Sequence, residues 1–241
     1  MIRFTSLLLS VAAALQVSAQ TAEDKPARTV ELRMLAFSYQ NKVQSLQIFD
    51  PATGTALLTE AADLPKYLSE EKHKVALRGD KLVFSTQSDP EKALAEGGAS
   101  AEVTLPSGMT EAILVFFPAG PDKGVDYRVA PLDGSARAFP AGSIQTMNVS
   151  SVPVRMMLEK QLVQLAPGAR KLVEDPPVRA NNHTGVVVQA HLDGEWRKVA
   201  SSLWPHPGRK RVFQIIYQDP KSGRMKLEGY RDIAFDSTTA E

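Results

Sequence analysis

Short stretches of large apolar and β-branched residues, separated by turn residues, recur along the chain and predict a protein built of β-strands. The predicted strands of the first half span residues 29–39, 43–49, 55–59, 73–78, 81–86, 101–105, 111–117 and 125–130. Those of the second half span residues 143–149, 152–159, 161–165, 185–192, 195–200, 209–218 and 224–233. Gly79-Asp80 and Asp193-Gly194 each separate two predicted strands, and such dipeptides are typical of tight hairpin turns.

Helix-forming segments are scarce. In residues 89–97, Asp89 is placed to cap a helix, Pro90 fits its first turn and Gly97 ends it. Residues 63–72 are a second short candidate. Neither is long enough to cross over between parallel strands, so the pattern predicts an all-β protein of antiparallel sandwiches with one or two very short helices, rather than an α/β enzyme fold.

One ordered pattern occurs twice. A turn ending at Gly108 precedes an apolar strand and a P-x-x-G turn ending at Gly124, and the same order recurs between Gly208 and Gly223. The opening glycines lie 100 positions apart and the closing glycines 99. A period near 100 residues matches the size of a small β-sandwich and indicates duplication, although any two β-hairpins share some of these turn residues.

We therefore expect two tandem domains, at about residues 28–134 and 136–236, joined near Gly134. Their charges differ. Residues 20–135 carry 12 basic and 17 acidic side chains, whereas residues 136–241 carry 15 basic and 10 acidic ones. Opposite net charges predict that an acidic first domain attracts a basic second domain.

The N-terminal residues 1–19 have the pattern of a secretory signal peptide: Arg3, an apolar run over residues 4–17, and small residues up to Ala19. The alternative is a retained anchor, but the run is shorter than the roughly 20 residues that a bilayer requires. No other segment reaches that length, so we expect a periplasmic or extracellular protein rather than an integral membrane protein. The chain has no cysteine, which excludes disulfides and a lipoprotein anchor.

The chain resembles uncharacterised exported bacterial proteins in three features. These are the export signal, the tandem sandwich pattern, and short segments such as Gln164-Leu165-Ala166-Pro167-Gly168 before a further strand. Those proteins are built from immunoglobulin-like or transthyretin-like modules. The resemblance implies an architecture over residues 28–236, and it assigns no functional residue.

The sequence lacks the common motifs of catalysis and of metal or nucleotide binding, including G-x-S-x-G, H-E-x-x-H, the P-loop and G-x-G-x-x-G. His191 and Asp193 alternate as two metal ligands on one strand would, but Asp193 also begins a turn. His183 is a candidate base in a polar loop. We therefore expect no enzyme activity, metal or cofactor, and the neutral, exported chain argues against nucleic acid as a partner.

Basic residues and tryptophans are the candidate recognition residues. A cationic hairpin is predicted near the C-terminus, and a Pro-rich loop carries the tryptophan that is the better candidate for stacking on a sugar. The candidate surface comprises Trp204, Trp196, Arg209, Lys210, Arg211, Lys221, Arg224 and Lys226. The ordinary alternatives are core packing for the tryptophans and, for the basic residues, an edge hairpin whose charges prevent aggregation.

Three functions follow from these features. The first is a noncatalytic exported interaction or structural protein. The second is a module that binds a glycan or another cell-envelope polymer through Trp204 and the basic hairpin. The basic hairpin could equally bind an anionic polymer or an acidic protein. The third is a hydrolase with a dispersed site.

Overall fold

The computed structural model describes residues 26–37, 45–119 and 123–233, so the predicted signal peptide lies outside the described residues. The first half contains β1 (Arg28–Ala36), β2 (Ser45–Asp50), β3 (Thr55–Ala56), β4 (Ala62–Asp63), β5 (His73–Leu77), β6 (Lys81–Ser85), α1 (Pro90–Leu94), β7 (Ala101–Thr104), β8 (Glu111–Pro118) and β9 (Tyr127–Asp133). The second half contains β10 (Ile144–Asn148), β11 (Val154–Leu158), β12 (Gln161–Leu165), β13 (Arg170–Val173), β14 (His183–Leu192), β15 (Glu195–Pro205), β16 (Lys210–Gln218) and β17 (Met225–Ile233). The predicted all-β class is confirmed.

The two predicted helices have different outcomes. Helix α1 forms where expected, and the Asp89 carboxylate caps it by accepting a hydrogen bond from the Glu91 N–H at 3.0 Å. The helix predicted over residues 63–72 is wrong. Leu64 is buried in an extended segment there, and the Pro65 carbonyl accepts a hydrogen bond from Ala36 N–H at 2.6 Å. Tertiary burial therefore overrides the local preference for a helical turn.

The strands form two sandwiches with the same strand order. In the first, the sheet β5-β1-β8-β9 faces the sheet β3-β2-β6-β7, and β4 pairs with β2. In the second, β13-β10-β16-β17 faces β12-β11-β14-β15. Each half has one parallel pair, β1 with β8 and β10 with β16, so the sheets are mainly rather than wholly antiparallel.

The repeated sequence pattern lies on equivalent strands. Gly124 precedes β9 and has a φ of +68°, and Gly223 precedes β17 with a φ of +66°. Both turns thus use the left-handed conformation that glycine adopts without strain. The shared strand order and turn geometry support duplication, while the boundaries at residues 28–134 and 136–236 stay predictions.

The two predicted tight hairpins also differ. Asp193-Gly194 closes a β14–β15 hairpin as expected, and both residues have positive φ. The Gly79-Asp80 hairpin is wrong, because β5 and β6 belong to opposite sheets. Asp50 holds this connection by accepting a hydrogen bond from the Arg78 N–H at 2.7 Å.

The two halves meet through an apolar layer between their central sheets. On β8, alternate residues are buried toward the first sandwich, and Ile113, Val115 and Phe117 are buried toward the second half. On β16, Phe213 and Ile215 face the first half in the same way. The interface core consists of Leu35, Phe37, Leu68, Ile113, Val115, Phe117, Leu132, Phe139, Met147, Phe213, Ile215 and Tyr217.

This contact differs from the one expected from net charge. Apolar side chains form most of it, and its buried ion cluster joins Arg33 of the first half to Asp232 and Arg211 of the second. The acidic half thus supplies a cation and the basic half supplies the anion, the reverse of the expected pairing. No helix in the described part of the chain is long and apolar enough to span a membrane.

Candidate functional site

The structure brings Trp204 and Lys226 of the predicted recognition surface to one cleft and places the other residues elsewhere. Arg209, Lys210, Lys221 and Arg224 are exposed on and around the β16–β17 hairpin. None of these four has a carboxylate partner among the described residues. The predicted cationic hairpin is therefore present, and these four basic side chains are exposed to solvent.

Arg211 does not belong to that exposed surface, so its predicted role there is wrong. It alternates with the apolar residues of β16 and shares the face of Phe213, which is buried against the first half. Its side chain is 2% exposed. Its guanidinium donates to the Asp232 carboxylate at 2.7 Å and to the Phe139 carbonyl at 2.6 Å.

Lys226 is partly neutralised by a neighbour. Its ammonium group lies 2.5 Å from the Asp219 carboxylate. This hydrogen bond, together with those from the Lys221 N–H and the Ser222 hydroxyl, lowers the pKa of Asp219 to about 2, and the same carboxylate raises the pKa of Lys226. Lys226 therefore stays charged, but its charge is balanced locally.

Trp204 lines an open cleft of 490 Å³ between β15 and β17, at the edge of the second sandwich. The side chain is half-buried and packs against the apolar core of that sandwich. The cleft is lined by Val199, Ala200, Ser202, Trp204, Gln214, Met225, Lys226, Leu227 and Gly229. It is therefore mainly apolar, with an aromatic side chain and a few polar groups.

Gln214 supplies a polar group from the inner face of β16. The residue is 4% exposed, and its amide oxygen accepts a hydrogen bond from the Thr146 hydroxyl at 3.1 Å. Its amide nitrogen makes no hydrogen bond within the described part of the chain. Gly229 lies opposite Gln214 on β17 and has no side chain to cover it. Gln214 thus retains an amide donor at the cleft.

The equivalent edge of the first sandwich is bridged by backbone hydrogen bonds, and it also carries a concave surface whose lining includes Glu102 and Tyr127. There the Ser100 carbonyl, just before β7, accepts hydrogen bonds from both Asp126 N–H and Tyr127 N–H at 2.9 Å. The Tyr127 ring packs edge-on against Phe116, with centroids 5.9 Å apart. No backbone hydrogen bond joins β15 to β17 within residues 123–233. The two halves share a strand order, but among the described residues this edge is bridged by backbone hydrogen bonds in the first half and not in the second.

Trp196 lies on the outer face of the β12-β11-β14-β15 sheet, away from the cleft. The guanidinium carbon of Arg155 is 4.4 Å from the centroid of its ring, and the His191 ring lies 5.1 Å away, edge-on. Arg155 is held by a 2.8 Å hydrogen bond to the Gln189 side chain. One face of Trp196 is therefore already covered by a cation.

The candidate metal ligands His191 and Asp193 and the candidate base His183 each contact a different neighbour. His191 contacts Trp196, whereas Asp193 pairs with Arg197 at 3.2 Å. The His183 ring is hydrogen-bonded to the Asn181 carbonyl at 2.7 Å. Within the described ranges, no three His, Asp or Glu side chains gather as a metal site would require.

Sequence reasoning missed Gln214 and Gly229. The signal for Gln214 was present, because it is the polar residue within the apolar run of β16. A polar side chain in a strand that is buried on both faces needs a partner or a function. Gly229 gave no comparable signal, because only the cross-strand register places it opposite Gln214.

Comparison with known proteins identifies no matching family model and no matching curated protein. The residues of the cleft and their geometry are therefore the basis for a functional assignment.

Proposed function

We propose that this chain is a noncatalytic, exported binding protein that takes a neutral sugar unit of a glycan in the Trp204 cleft. The observation that carries the proposal is the half-buried Trp204 in the same open cleft as the unused amide donor of Gln214. A sugar ring offers an apolar face to an aromatic side chain and hydroxyl groups to amide donors and acceptors.

The size and composition of the cleft support binding. Its 490 Å³ volume lies within the roughly 300–1,000 Å³ typical of small-molecule sites. Apolar side chains such as Met225 and Leu227 form much of its lining, which is also typical of such sites. Export of the chain rests on the signal-peptide pattern of residues 1–19.

The same lining argues against hydrolysis at this position. Glycoside hydrolysis commonly uses two carboxylates that face each other across the bond being cleaved. The residues that line the cleft include no aspartate, glutamate or histidine. A bound sugar would therefore be held without a general acid or base beside it.

A second candidate function is binding of an anionic envelope polymer by the basic hairpin. It is favoured by four exposed basic residues that have no carboxylate partner among the described residues: Arg209, Lys210, Lys221 and Arg224. Such binding would weaken steeply with added salt, because it depends on exposed charges. Sugar stacking in the cleft would depend much less on salt.

A glycan array with the mature protein tests the proposal, followed by titration of the best glycan. We expect Trp204→Ala to abolish binding and Gly229→Val to weaken it by filling the cleft. A Cβ at Gly229 would lie 3.8 Å from Gln214 Cγ, an ordinary contact, so this variant should fold. Trp196→Ala is the matched control and should bind normally.

Two results would overturn the sugar site. One is the absence of binding to any neutral glycan, and the other is binding that persists in both Trp204→Ala and Gly229→Val. Binding that is lost in Arg209→Gln/Lys210→Gln and at high salt, but kept in the cleft variants, would favour the anionic polymer.

A further inference from the structure

A second concave surface lies between the two halves, and none of its lining residues belongs to the Trp204 cleft. It is a groove of 660 Å³ between the edge strand β9 of the first sandwich and strands β10 and β13 of the second. Its residues are Phe117, Arg128, Val129, Ala130, Pro131, Met147, Val149, Ser150, Pro167, Gly168 and Arg170. The groove is the place where the interface core opens to solvent.

Arg128 marks this opening on the first half. Along β9, Leu132 and Ala130 pack into the interface core, and alternation places Arg128 on the same face. Arg128 is paired in register with Phe117, and its guanidinium carbon lies 5.4 Å from the centroid of that ring. On this face of β9, the apolar interface residues are therefore followed by Arg128, which packs against the Phe117 ring.

Arg170 marks the opening on the second half. Leu172 of β13 packs into the interface core, and Arg170 continues the same face of that strand beside Met147. Its guanidinium donates to the Pro131 carbonyl of the first half at 2.8 Å. Arg170 is therefore oriented across the groove, and its other N–H donors remain available.

Within the part of the chain that the structure describes, the two arginines have no compensating anion. No carboxylate lines the groove, and neither Arg128 nor Arg170 has an acidic partner among the described residues. An arginine is charged at any physiological pH. The groove therefore combines two positive charges, one from each half, with an apolar floor that includes Phe117, Met147 and Val149.

We propose that this groove binds an organic anion with an apolar body, of which an aliphatic monocarboxylate is the simplest example. The carboxylate accepts hydrogen bonds from Arg128 and Arg170, and the hydrocarbon chain covers the apolar floor. Guanidinium groups suit this role because their N–H donors match the geometry of a carboxylate. The proposal is independent of the sugar site, since the two sites share no residue.

Titration of the full mature protein with octanoate tests this site, followed by NMR of the ¹³C-labelled methionine methyl groups. Met147 lines the groove, so its methyl resonance, assigned with Met147→Leu, should shift and saturate as octanoate is added. Arg128→Gln and Arg170→Gln should each weaken binding roughly tenfold, the loss expected for one charge-assisted hydrogen bond. Arg170→Lys should bind better than Arg170→Gln.

The controls separate charge, apolar contact and folding. Octanol has a hydrocarbon chain without the charge and should bind much more weakly than octanoate. Arg137→Gln removes an exposed arginine that lines neither the groove nor the Trp204 cleft, and it should leave binding unchanged. Thermal unfolding of each variant checks that the fold is kept.

Three outcomes would overturn the proposal. One is that octanoate leaves the Met147 resonance unmoved. Another is that octanol binds as tightly as octanoate. The third is that inorganic sulfate binds as tightly as octanoate, which would show that the apolar floor contributes nothing.

Discussion

Arg33 and Asp232 lie 199 positions apart in the chain, and their side chains form a two-point ion pair, with Nη1–Oδ2 and Nη2–Oδ1 distances of 3.0 and 2.7 Å. Arg211 donates to the same carboxylate at 2.7 Å. The Asp232 carboxylate therefore accepts hydrogen bonds from two buried guanidinium groups. The cluster fixes the first strand of the first half to the last strand of the second.

Loss of the Asp232 carboxylate should be severely destabilising, because it removes the anion that pairs with two buried guanidinium groups, those of Arg33 and Arg211. We expect Asp232→Ala to lower the free energy of unfolding by about 3–5 kcal/mol, the usual cost of breaking a buried pair. Urea denaturation measures this change. Asp193→Ala is the matched control: its carboxylate is exposed and pairs with Arg197 on the surface, so it should cost no more than about 1 kcal/mol.

An equal loss in the two aspartate variants would contradict a special role for the cluster. A triple change, Arg33→Met with Asp232→Leu and Arg211→Met, gives a further check. Removing all three charges together should cost less than Asp232→Ala, since the two buried guanidinium charges are removed along with the carboxylate.

The cluster also makes stability depend on acid pH. Burial acts to raise the pKa of Asp232, but the hydrogen bonds and charges of Arg33 and Arg211 outweigh it and hold the pKa below its usual 3.8. A carboxyl with a lowered folded-state pKa stabilises the protein at pH values above its unfolded pKa of about 3.9, and this contribution is lost as the pH falls through the folded pKa. We therefore expect the stability advantage of the wild type over Asp232→Asn to shrink as the pH falls below about 4.

Urea denaturation of the two proteins between pH 7 and pH 2.5 measures that difference. Subtraction removes the contribution of other acids, including Asp219, because both proteins contain them. A difference that stays constant over this range would contradict the lowered pKa of Asp232.

The apolar interface predicts that salt leaves the two halves together. Attraction between exposed charges would fade as the Debye length falls below about 8 Å, whereas buried apolar contacts persist. Small-angle scattering should therefore give the same radius of gyration in low salt and in 1 M NaCl. Expansion in high salt would indicate that the opposite net charges hold the halves together after all.

The fold class and most strands could be predicted from local patterns, but the interface required a different interpretation of the same residues. The continuous apolar run from Ile113 to Phe117 predicts a strand, and it also indicates a strand that is buried on both faces. Phe213 to Tyr217 carry the same signal on β16. Two such runs, one in each half, indicate an apolar contact between the halves, and net charge could not reveal it.

The candidate sites were only partly predictable, because each depends on cross-strand neighbours. Trp204 and Lys226 could be chosen by residue type, but their meeting in one cleft follows from the packing of β15 beside β17. Arg211 looks like its basic neighbours in the sequence, and only the alternation of a doubly buried strand separates it from them. Arg128 and Arg170 lie in different halves, so no local pattern connects them.

The turn between β14 and β15 provides a test of backbone strain. Gly194 has a φ of +84°, and open space surrounds the position that a Cβ would occupy. Gly194→Ala should therefore destabilise the protein through its backbone conformation alone, by about 1 kcal/mol.

Gly108 is the matched control, because it also has open space but no left-handed φ. Gly108→Ala should be neutral or stabilising by up to about 1 kcal/mol, since alanine restricts the unfolded chain. Urea denaturation of both variants measures the difference, and equal stabilities would mean that the turn does not require the left-handed conformation.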